Sequence, residues 1–418
     1  MTRPSQLVRS MLGGLQRTVL LLAISSVLPL LVLMPAQAQT FSILHTFMGA
    51  EGCNPLAGPT LDQGGNLYGT TSGCGPGPGT VFKVTHVGRN WTLGVLYNFT
   101  DSNDVGNPWA RVVFGPDGAL YGTTSGRNGT IYGTVFRLRP PSSPCQSVSC
   151  PWTHTLLYAF TDANHGRGPG YGDVVFDAAG NIYGTTIVGG PNGAGTVYQL
   201  THANGGWTES VLYSFSTSDG GGYFPYGGVA VDSAGNVYGT TDVGGAFGLG
   251  ILFELTQSGA SWTETTLHNF ASGDGFNPFG APIMDRQANL YGTATNGPGN
   301  QTGGTVYELQ PSGDNWIYTV LAVLPALPGT AGPIAALTMD AAGNLYGTTR
   351  QGGSNGYGGV FKLTRSGGNW TYTDLHDFNN QDGAYPYGSV ALDAHGNIYG
   401  TTFAGGGAGH GELWMITP

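Results

Sequence analysis

The sequence predicts an all-β fold, a seven-bladed β-propeller of four-stranded blades, and three features of the chain carry this prediction. The phrase "[LIV]-Y-G-T" occurs seven times in the 418 residues, each repeat divides into four strand-sized pieces, and the two ends of the chain complete each other. Self-similarity at a fixed period is typical of repeat architectures, and four short strands per repeat are typical of a propeller blade.

The repeated phrase sets the register of the blades through its tyrosines. Successive tyrosines are 53, 62, 55, 53, 55 and 53 residues apart, and the long interval holds an insert, residues 139–151, between the third and fourth strands of the second blade. Tyrosines in one register are expected to pack between neighbouring blades, and the glycine that follows permits close approach of the backbone. The seven are Tyr68, Tyr121, Tyr183, Tyr238, Tyr291, Tyr346 and Tyr399.

The fourth repeat displays the four strands most clearly. "GGVAVD" (Gly227–Asp232) leads through a short turn into "NVYGTT", a glycine-rich loop leads to "GILFEL", and a polar turn leads to "SWTETTLHNF". Runs of β-forming residues bounded by Gly, Asn and Asp are typical of strands. We call these strands A to D in chain order. The DA loop joins strand D to the next strand A, and the BC loop joins strands B and C.

The two ends of the chain favour a closed ring over a parallel β-helix, the other repeat fold considered. "FSILHTF" (Phe41–Phe47) matches strand D, whereas the final "GELWMITP" matches only strand C. The N-terminal strand is therefore expected to complete the last blade, so that no sheet edge is left open.

The repeat resembles a known family. "GNLYGTT" (Gly343–Thr349), a glycine-rich loop and "GVFKL" (Gly359–Leu363) are similar to the GloVer tandem repeat of exported bacterial proteins, a choice-of-anchor class. The resemblance covers essentially the whole chain after residue 38, and it implies export without general catalytic residues. Many members are expected to end in a surface-sorting anchor, and none is evident before Pro418.

The N-terminus is predicted to be a signal peptide, residues 1–38, followed by a single propeller domain, residues 39–418. Arg3, Arg9 and Arg17 precede an apolar run, Val19–Met34, and small residues lead to cleavage after Ala38. The alternative is an uncleaved membrane anchor, but the run is short and interrupted by a proline. No later segment is apolar enough to span a membrane, so the protein is expected to be secreted, extracellular or periplasmic.

Charge narrows the choice of partners. Removal of residues 1–38 takes away three arginines and no acid, so the net charge falls from −10 to −13, and only Lys83 and Lys362 are lysines. Nucleic-acid binding needs clustered basic residues and is not expected. The remaining partner classes are a glycan and a protein.

Recurring polar residues are interpreted as scaffold. His45, His268 and His376 stand where other blades place Tyr97, Tyr158 and Tyr213, so we expect them to replace aromatic rings in a packing position. No histidine spacing suggests zinc, and no metal site is predicted. Six aspartates before strand B are expected to accept backbone N–H bonds in turns: Asp62, Asp177, Asp232, Asp285, Asp340 and Asp393.

The four cysteines predict two disulfides in an exported protein. Cys145 and Cys150 lie close together in the insert. Cys53 lies in the first DA loop and Cys74 in the first BC loop, and these two loop types emerge on one face of a propeller. Neither pair has the spacing of a redox or metal motif.

The candidate binding site lies on the face formed by the DA and BC loops. A residue that follows a DA-loop proline recurs there and is usually aromatic, so a ring of aromatic side chains could stack on sugars. The alternative is an apolar plug that closes the central channel, which is preferred because the register also holds Leu and Ile. Its members are Leu56, Trp109, Tyr171, Tyr226, Phe279, Ile334 and Tyr387.

Two residues later, charge appears only at Arg111 and Asp173, in neighbouring blades. Together with Arg127, His165 and Arg167 they form the richest cluster that departs from the repeat. A structural ion pair is preferred to a catalytic role, because a catalytic carboxylate needs a second group at a defined distance.

The DA loops also carry acids, which calcium favours as ligands. "DSNDVG" (Asp101–Gly106) begins like a calcium loop, but Val105 replaces an oxygen ligand, so turn chemistry is preferred and no cofactor is expected beyond a weakly indicated calcium ion. The acids are Glu51, Asp104, Asp162, Asp219, Asp274 and Asp382.

These features predict an exported binding or interaction module with a carbohydrate or protein ligand on the DA-loop face. The alternatives are a propeller hydrolase or lyase acting on a glycan, and a purely structural envelope protein. The sequence favours a role without catalysis.

Overall fold

The computed structural model describes residues 39–418 except 89, 101–103, 127–129, 142–150, 204, 219, 300–302 and 326–331. The predicted signal peptide, Cys145, Cys150, Arg127 and Asp219 lie outside the described residues. No helix among the described residues has the length and apolar character needed to cross a membrane.

Seven antiparallel four-stranded sheets form the predicted seven-bladed propeller. The A strands are two residues long: β2 (Thr60–Leu61), β6 (Val113–Phe114), β10 (Val175–Phe176), β15 (Ala230–Val231), β20 (Ile283–Met284), β24 (Thr338–Met339) and β28 (Ala391–Leu392). The B strands carry the repeated phrase: β3 (Leu67–Thr71), β7 (Leu120–Thr124), β11 (Ile182–Thr186), β16 (Val237–Thr241), β21 (Leu290–Ala294), β25 (Leu345–Thr349) and β29 (Ile398–Thr402).

The C and D strands are longer and form hairpins. The C strands are β4 (Thr80–Val87), β8 (Thr134–Arg139), β12 (Thr196–Ala203), β18 (Ile251–Ser258), β22 (Thr305–Ser312), β26 (Gly359–Ser366) and β30 (Glu412–Thr417). The D strands are β5 (Asn90–Asn98), β9 (Thr153–Ala159), β13 (Gly206–Ser214), β19 (Ser261–Asn269), β23 (Asn315–Val323), β27 (Asn369–Asp377) and, in the last blade, β1 (Thr40–Thr46). The seven blades account for 28 strands. Two further short strands, β14 (Gly222–Tyr223) and β17 (Val243–Gly244), pair with each other outside the blades.

The ring closes as the chain ends predict. Strand β1 pairs with β30, so the seventh sheet has the order β1, β30, β29, β28. Thr40 lies opposite Thr417 and Thr46 opposite Glu412 in this antiparallel pair. The seventh blade therefore contains both ends of the described chain.

The apolar core lies between the blades, and both residues of the repeated Tyr-Gly pair contribute to its packing. Each of seven buried clusters combines residues of neighbouring blades; Tyr183, for example, packs with Val237 and Phe253 of the next blade. The glycine after the tyrosine lies under an aromatic ring of strand C: a Cβ at Gly239 would be 2.5 Å from the Phe253 ring, and one at Gly400 would be 2.2 Å from Trp414. Only glycine leaves room for these rings.

The aspartates before strand B form the predicted turns. In the fourth blade, the Asp232 carboxylate accepts the backbone N–H groups of Ala234 and Asn236 at 2.8 Å each. It also accepts the Tyr238 hydroxyl at 3.2 Å, which joins the turn to the packed tyrosine. The second blade departs from the pattern, because Asp117, two positions later, accepts from Ala119 and Tyr121 instead.

Candidate functional site

Several DA loops contact the neighbouring blade at a glycine, where the two backbones approach closely. A Cβ added to Gly58 would lie 1.6 Å from the Ser389 carbonyl oxygen, and one added to Gly228 would lie 2.5 Å from that of Asp173. The backbones of neighbouring blades therefore touch at these positions.

Threonine hydroxyls of strand B join six of the seven blade junctions. Each donates to a carbonyl of the next blade's DA loop at 2.7–3.2 Å: Thr70 to Ala110, Thr185 to Gly227, Thr240 to Gly280, Thr293 to Ala335, Thr348 to Gly388 and Thr401 to Ala57. The matching residue between the second and third blades is Thr123, whose buried hydroxyl has no partner among the described residues.

The junction between the second and third blades contains the Arg111–Asp173 ion pair instead. The backbone N–H of Arg111 donates to Asp173 Oδ1 at 2.8 Å, and Arg111 Nε donates to Oδ2 at 3.0 Å. The guanidinium Nη2 is 2.9 Å from Oδ2. Both oxygens of Asp173 are thus held by Arg111, an arrangement that joins two blades and occupies the carboxylate.

The other members of the predicted charged cluster have different partners. His165 Nδ1 contacts the buried carboxylate of Glu209, and the Arg167 guanidinium lies 4.1 Å from the centre of the Tyr132 ring. Burial raises the pKa of Glu209, although the bond to His165 opposes this effect. His165 is thus linked to strand β13 and Arg167 to the BC loop of the second blade, so these contacts do not assemble a cluster around Asp173.

Four consecutive blades contribute an arc of touching aromatic rings. Trp109 and Tyr171 have ring centres 4.5 Å apart, Tyr171 and Tyr226 5.5 Å, and Tyr226 and Phe279 4.5 Å. Tyr171 is 44% exposed, and the other three are half-buried. We call these four residues the aromatic arc. Their mutual contacts are those expected of a plug, while part of each side chain remains exposed to solvent.

The hydroxyl groups of the arc remain protonated. Burial, together with smaller effects of the nearby Tyr226 and Tyr387, raises the pKa of Tyr171 to about 12. Burial and Asp242 also raise the pKa of Tyr226. These phenols can therefore donate hydrogen bonds at any physiological pH.

Tyr387 belongs to the same register but is not in contact with the arc. Its ring lies 5.3 Å from Phe403, and the Arg350 guanidinium lies 5.0 Å from its centre. Leu56 and Ile334, the aliphatic members of the register, are half-buried.

A second repeat position, four residues after the strand B tyrosine, was not identified as a candidate from the sequence. Asp242 and Arg350 occupy it, and each has a buried side-chain atom, Oδ1 and Nε respectively, without a partner among the described residues. Burial raises the pKa of Asp242. The signal was available as variation at one repeat position: Ser72, Ser125, Ile187, Asp242, Thr295, Arg350 and Phe403.

The acidic residues of the DA loops form hydrogen bonds with residues in or next to the same loop. Asp274 accepts the backbone N–H of Ala271 at 2.8 Å and lies 2.8 Å from His268 Nε2. His268 also stacks on Tyr318 of the next blade, with ring centres 3.8 Å apart. Equivalent bonds join Glu51 to His45, Asp104 to Tyr97 and Asp382 to His376, while Asp162 accepts the Asn164 N–H in a short 3-10 turn.

The predicted disulfide on this face is confirmed. Cys53 and Cys74 are joined by a bond of 2.01 Å, which links the DA and BC loops of the first blade. The bond is compatible with an exported protein.

A cavity of about 130 Å³ opens beside the sixth blade, in a region that the sequence did not single out. Tyr372, Asp374 and Asp377 line it. Burial raises the pKa of Asp374, and the neighbouring Asp377 raises it further. Asp377 is itself held by the backbone N–H of Ser354 at 2.7 Å.

These features define the class of the protein: a seven-bladed β-propeller with an aromatic arc on its DA-loop face. The Gloeobacter/Verrucomicrobia repeat model matches residues 30–149, 146–322 and 263–418. The chain therefore belongs to the Gloeobacter/Verrucomicrobia repeat family. No match was found among curated proteins.

Solved structures share the fold at low sequence identity. A fungal alcohol oxidase of the AA5 family, in complex with copper, is 16% identical, with a TM-score of 0.56 over 91% of this chain and 76% of that chain. An ulvan lyase of polysaccharide lyase family PL25, bound to -[GlcA(1-4)Rha3S]-, is 10% identical, with a TM-score of 0.50 over 88% of this chain and 94% of that chain. At these identities the likeness concerns the fold alone.

Proposed function

We propose that this protein is an exported binding module that takes a carbohydrate chain on the aromatic arc. The observation that carries the proposal is the unbroken contact of Trp109, Tyr171, Tyr226 and Phe279 across four blades. Amphipathic aromatic rings offer a large apolar surface together with a polar tip. Sugar rings match this combination, because they present C–H faces bordered by hydroxyl groups.

The polar groups near the arc suit an uncharged or weakly charged ligand. Like other tyrosine hydroxyls near neutral pH, those of Tyr171 and Tyr226 are protonated and can donate hydrogen bonds, and their raised pKa values extend this to alkaline pH. Asp242, which lies close enough to Tyr226 to raise its pKa, holds a buried oxygen without a partner among the described residues. A few polar groups of this kind, set in an apolar surface, orient a ligand and give specificity.

The first test is a thermal-shift screen of the protein without residues 1–38 against soluble oligosaccharides. A ligand that binds the native state raises the melting temperature by mass action, and the affinity of any hit is then measured by calorimetry. We expect Trp109→Ala and Tyr226→Ala to weaken binding at least tenfold. Phe247→Ala is the matched control, since Phe247 is 63% exposed on the same face but outside the arc.

Two outcomes would overturn the carbohydrate assignment. One is the absence of a shift with every glycan class, which would move the search to protein partners. The other is a glycan that binds Trp109→Ala as tightly as it binds the parent, which would place the site away from the arc.

An enzyme acting on a glycan is the second candidate, and Asp374 favours it. A carboxyl with a raised pKa beside a second carboxylate in a cavity suits general acid chemistry, whereas Asp173 is occupied by Arg111. The candidate predicts turnover of a glycan that is lost in Asp374→Asn and kept in Asp173→Asn. Absence of product from every glycan that binds would refute it.

A further inference from the structure

Cys53, Cys74 and His410 form a side-chain cluster that the binding proposal does not use. Among the described residues, they are the one group of three potential metal ligands whose donor atoms all lie within 4.8 Å of one another. Cys53 is buried, His410 is half-buried and Cys74 is exposed. The cluster is therefore accessible from solvent, and it combines loops of the first and seventh blades.

We infer that the Cys53–Cys74 disulfide masks a zinc site, which these two cysteines and His410 form when the disulfide is reduced. Two thiolates and an imidazole are a preferred donor set for Zn²⁺. Three protein ligands leave the fourth tetrahedral position open for water. The inference is independent of the carbohydrate proposal, because none of the three residues belongs to the aromatic arc.

Backbone hydrogen bonds, in addition to the disulfide, hold the loops that carry the donors. The Cys53 N–H donates to the Gly73 carbonyl at 2.8 Å, and the Gly73 N–H returns a bond to Cys53 at 3.3 Å. The Asn54 N–H donates to the His410 carbonyl at 2.9 Å, which fixes the seventh-blade loop beside Cys53. Opening the S–S bond therefore leaves the three side chains as neighbours.

The adjustment needed for zinc is small. The Cα atoms of the cysteines are 5.2 Å apart. Tetrahedral zinc with Zn–S bonds of about 2.3 Å would hold the two sulfur atoms about 3.7 Å apart. Rotation of the cysteine side chains can supply this separation, and His410 already lies within the 4.8 Å limit.

A dithiol reductant supplies two electrons and two protons, so the disulfide becomes two thiols and the reductant becomes a disulfide. Zinc binding then displaces the thiol protons, so the affinity for zinc should rise with pH. In the oxidised protein both sulfur atoms are used in the disulfide and no thiolate is available.

The test uses the chain with Cys145→Ser and Cys150→Ser, which removes the other two cysteines. The protein is reduced with a phosphine, desalted without oxygen and titrated with Zn²⁺ against a chromophoric chelator, while circular dichroism follows the fold. We expect one zinc per reduced chain, none per oxidised chain, and affinity at least tenfold weaker in His410→Ala. His395→Ala is the matched control, because the His395 side chain is 86% exposed.

Three results would overturn the inference. Failure of the folded, reduced chain to bind zinc would exclude the site, and equal binding by His410→Ala and the parent would exclude the histidine as a ligand. Loss of the fold on reduction would contradict the backbone-held geometry. A Cd²⁺ titration gives an independent readout, since thiolate ligation produces an ultraviolet absorption band that oxidised protein should lack.

Discussion

Single residues in this propeller gain their roles from repetition, and the turn aspartates illustrate this best. The Asp340 carboxylate accepts backbone N–H groups of Ala342 and Asn344 at 2.9 Å each. It also accepts the Asn344 side chain at 2.7 Å and the Tyr346 hydroxyl at 3.0 Å. Burial alone would raise the pKa of Asp340, but these hydrogen bonds outweigh burial and lower it. The charged carboxylate is thus the form that the folded state stabilises.

Asp340→Ala should lower the free energy of unfolding by about 2 kcal/mol at pH 7, because hydrogen bonds to a charged group are lost. The lowered pKa means that this stabilisation is complete above about pH 4 and is lost as the pH falls through the folded-state pKa. Urea unfolding at pH 7 and pH 3 should show the gap between parent and variant closing in acid. Asp314→Ala, at an exposed turn, is the control, and an equal gap at both pH values would contradict the prediction.

His268 should make the stability of its blade sensitive to mild acid. Burial lowers the pKa of His268, although Asp274 opposes this effect. The unfolded chain takes up the proton near pH 6.5, whereas the folded chain resists it, so stability falls as the pH drops below that value. His268→Tyr, which copies the bond of Tyr97 to Asp104, should gain stability relative to the parent between pH 7.5 and pH 5. Parallel pH profiles of parent and variant would contradict this.

Strand β1 shows how closure of the ring joins separate blades. Strand β1 covers the edge of β30, and Phe47, immediately after it, is fully buried against Phe82 with ring centres 5.3 Å apart. The Phe41 ring stacks on His376 of the sixth blade at 3.9 Å. One strand therefore completes the seventh sheet and also packs against both neighbouring blades.

Phe47→Ala should lower the free energy of unfolding by about 3–5 kcal/mol, the usual cost of removing a buried aromatic ring. Met48→Ala is the matched control, because its neighbour Met48 is 66% exposed and should change stability by less than about 0.5 kcal/mol. Deletion of residues 41–47 should go further and cause aggregation through the exposed β30 edge. An unchanged melting temperature after deletion would rule out closure by this strand.

The whole ring depends on how closely the blades approach at the centre. Several DA loops pass a neighbouring blade at a position where a side chain has no room, as at Gly58 and Gly228. Threonine hydroxyls of strand B join six of the seven blade junctions, and the Arg111–Asp173 ion pair joins the remaining one, between the second and third blades. The central contact is shared by all blades, so a defect at one position should affect the ring as a unit.

Gly58→Ala should destabilise the protein by about 3 kcal/mol or more, because overpacking against backbone cannot be relieved by moving a side chain. The new Cβ would lie 1.6 Å from the Ser389 carbonyl oxygen. Gly206→Ala is the control, since a Cβ there has nothing within 4 Å. Equal melting temperatures for the two variants would show that the central approach does not limit the ring.

The sequence by itself determined the blade number, the strand order, the closure by Phe41–Phe47 and the Cys53–Cys74 bond. The blade number, strand order and closure follow from spacing along the chain, because a repeat has to bury the same faces in every copy. The disulfide follows from the DA and BC loops of a blade emerging on one face. Only the tertiary structure decided that Trp109, Tyr171, Tyr226 and Phe279 touch, that Thr123 lacks the bond its counterparts make, and that Asp242, Arg350 and His410 lie beside residues far away in sequence. These relations depend on distances between side chains of different blades, and the spacing of the repeat does not specify those distances.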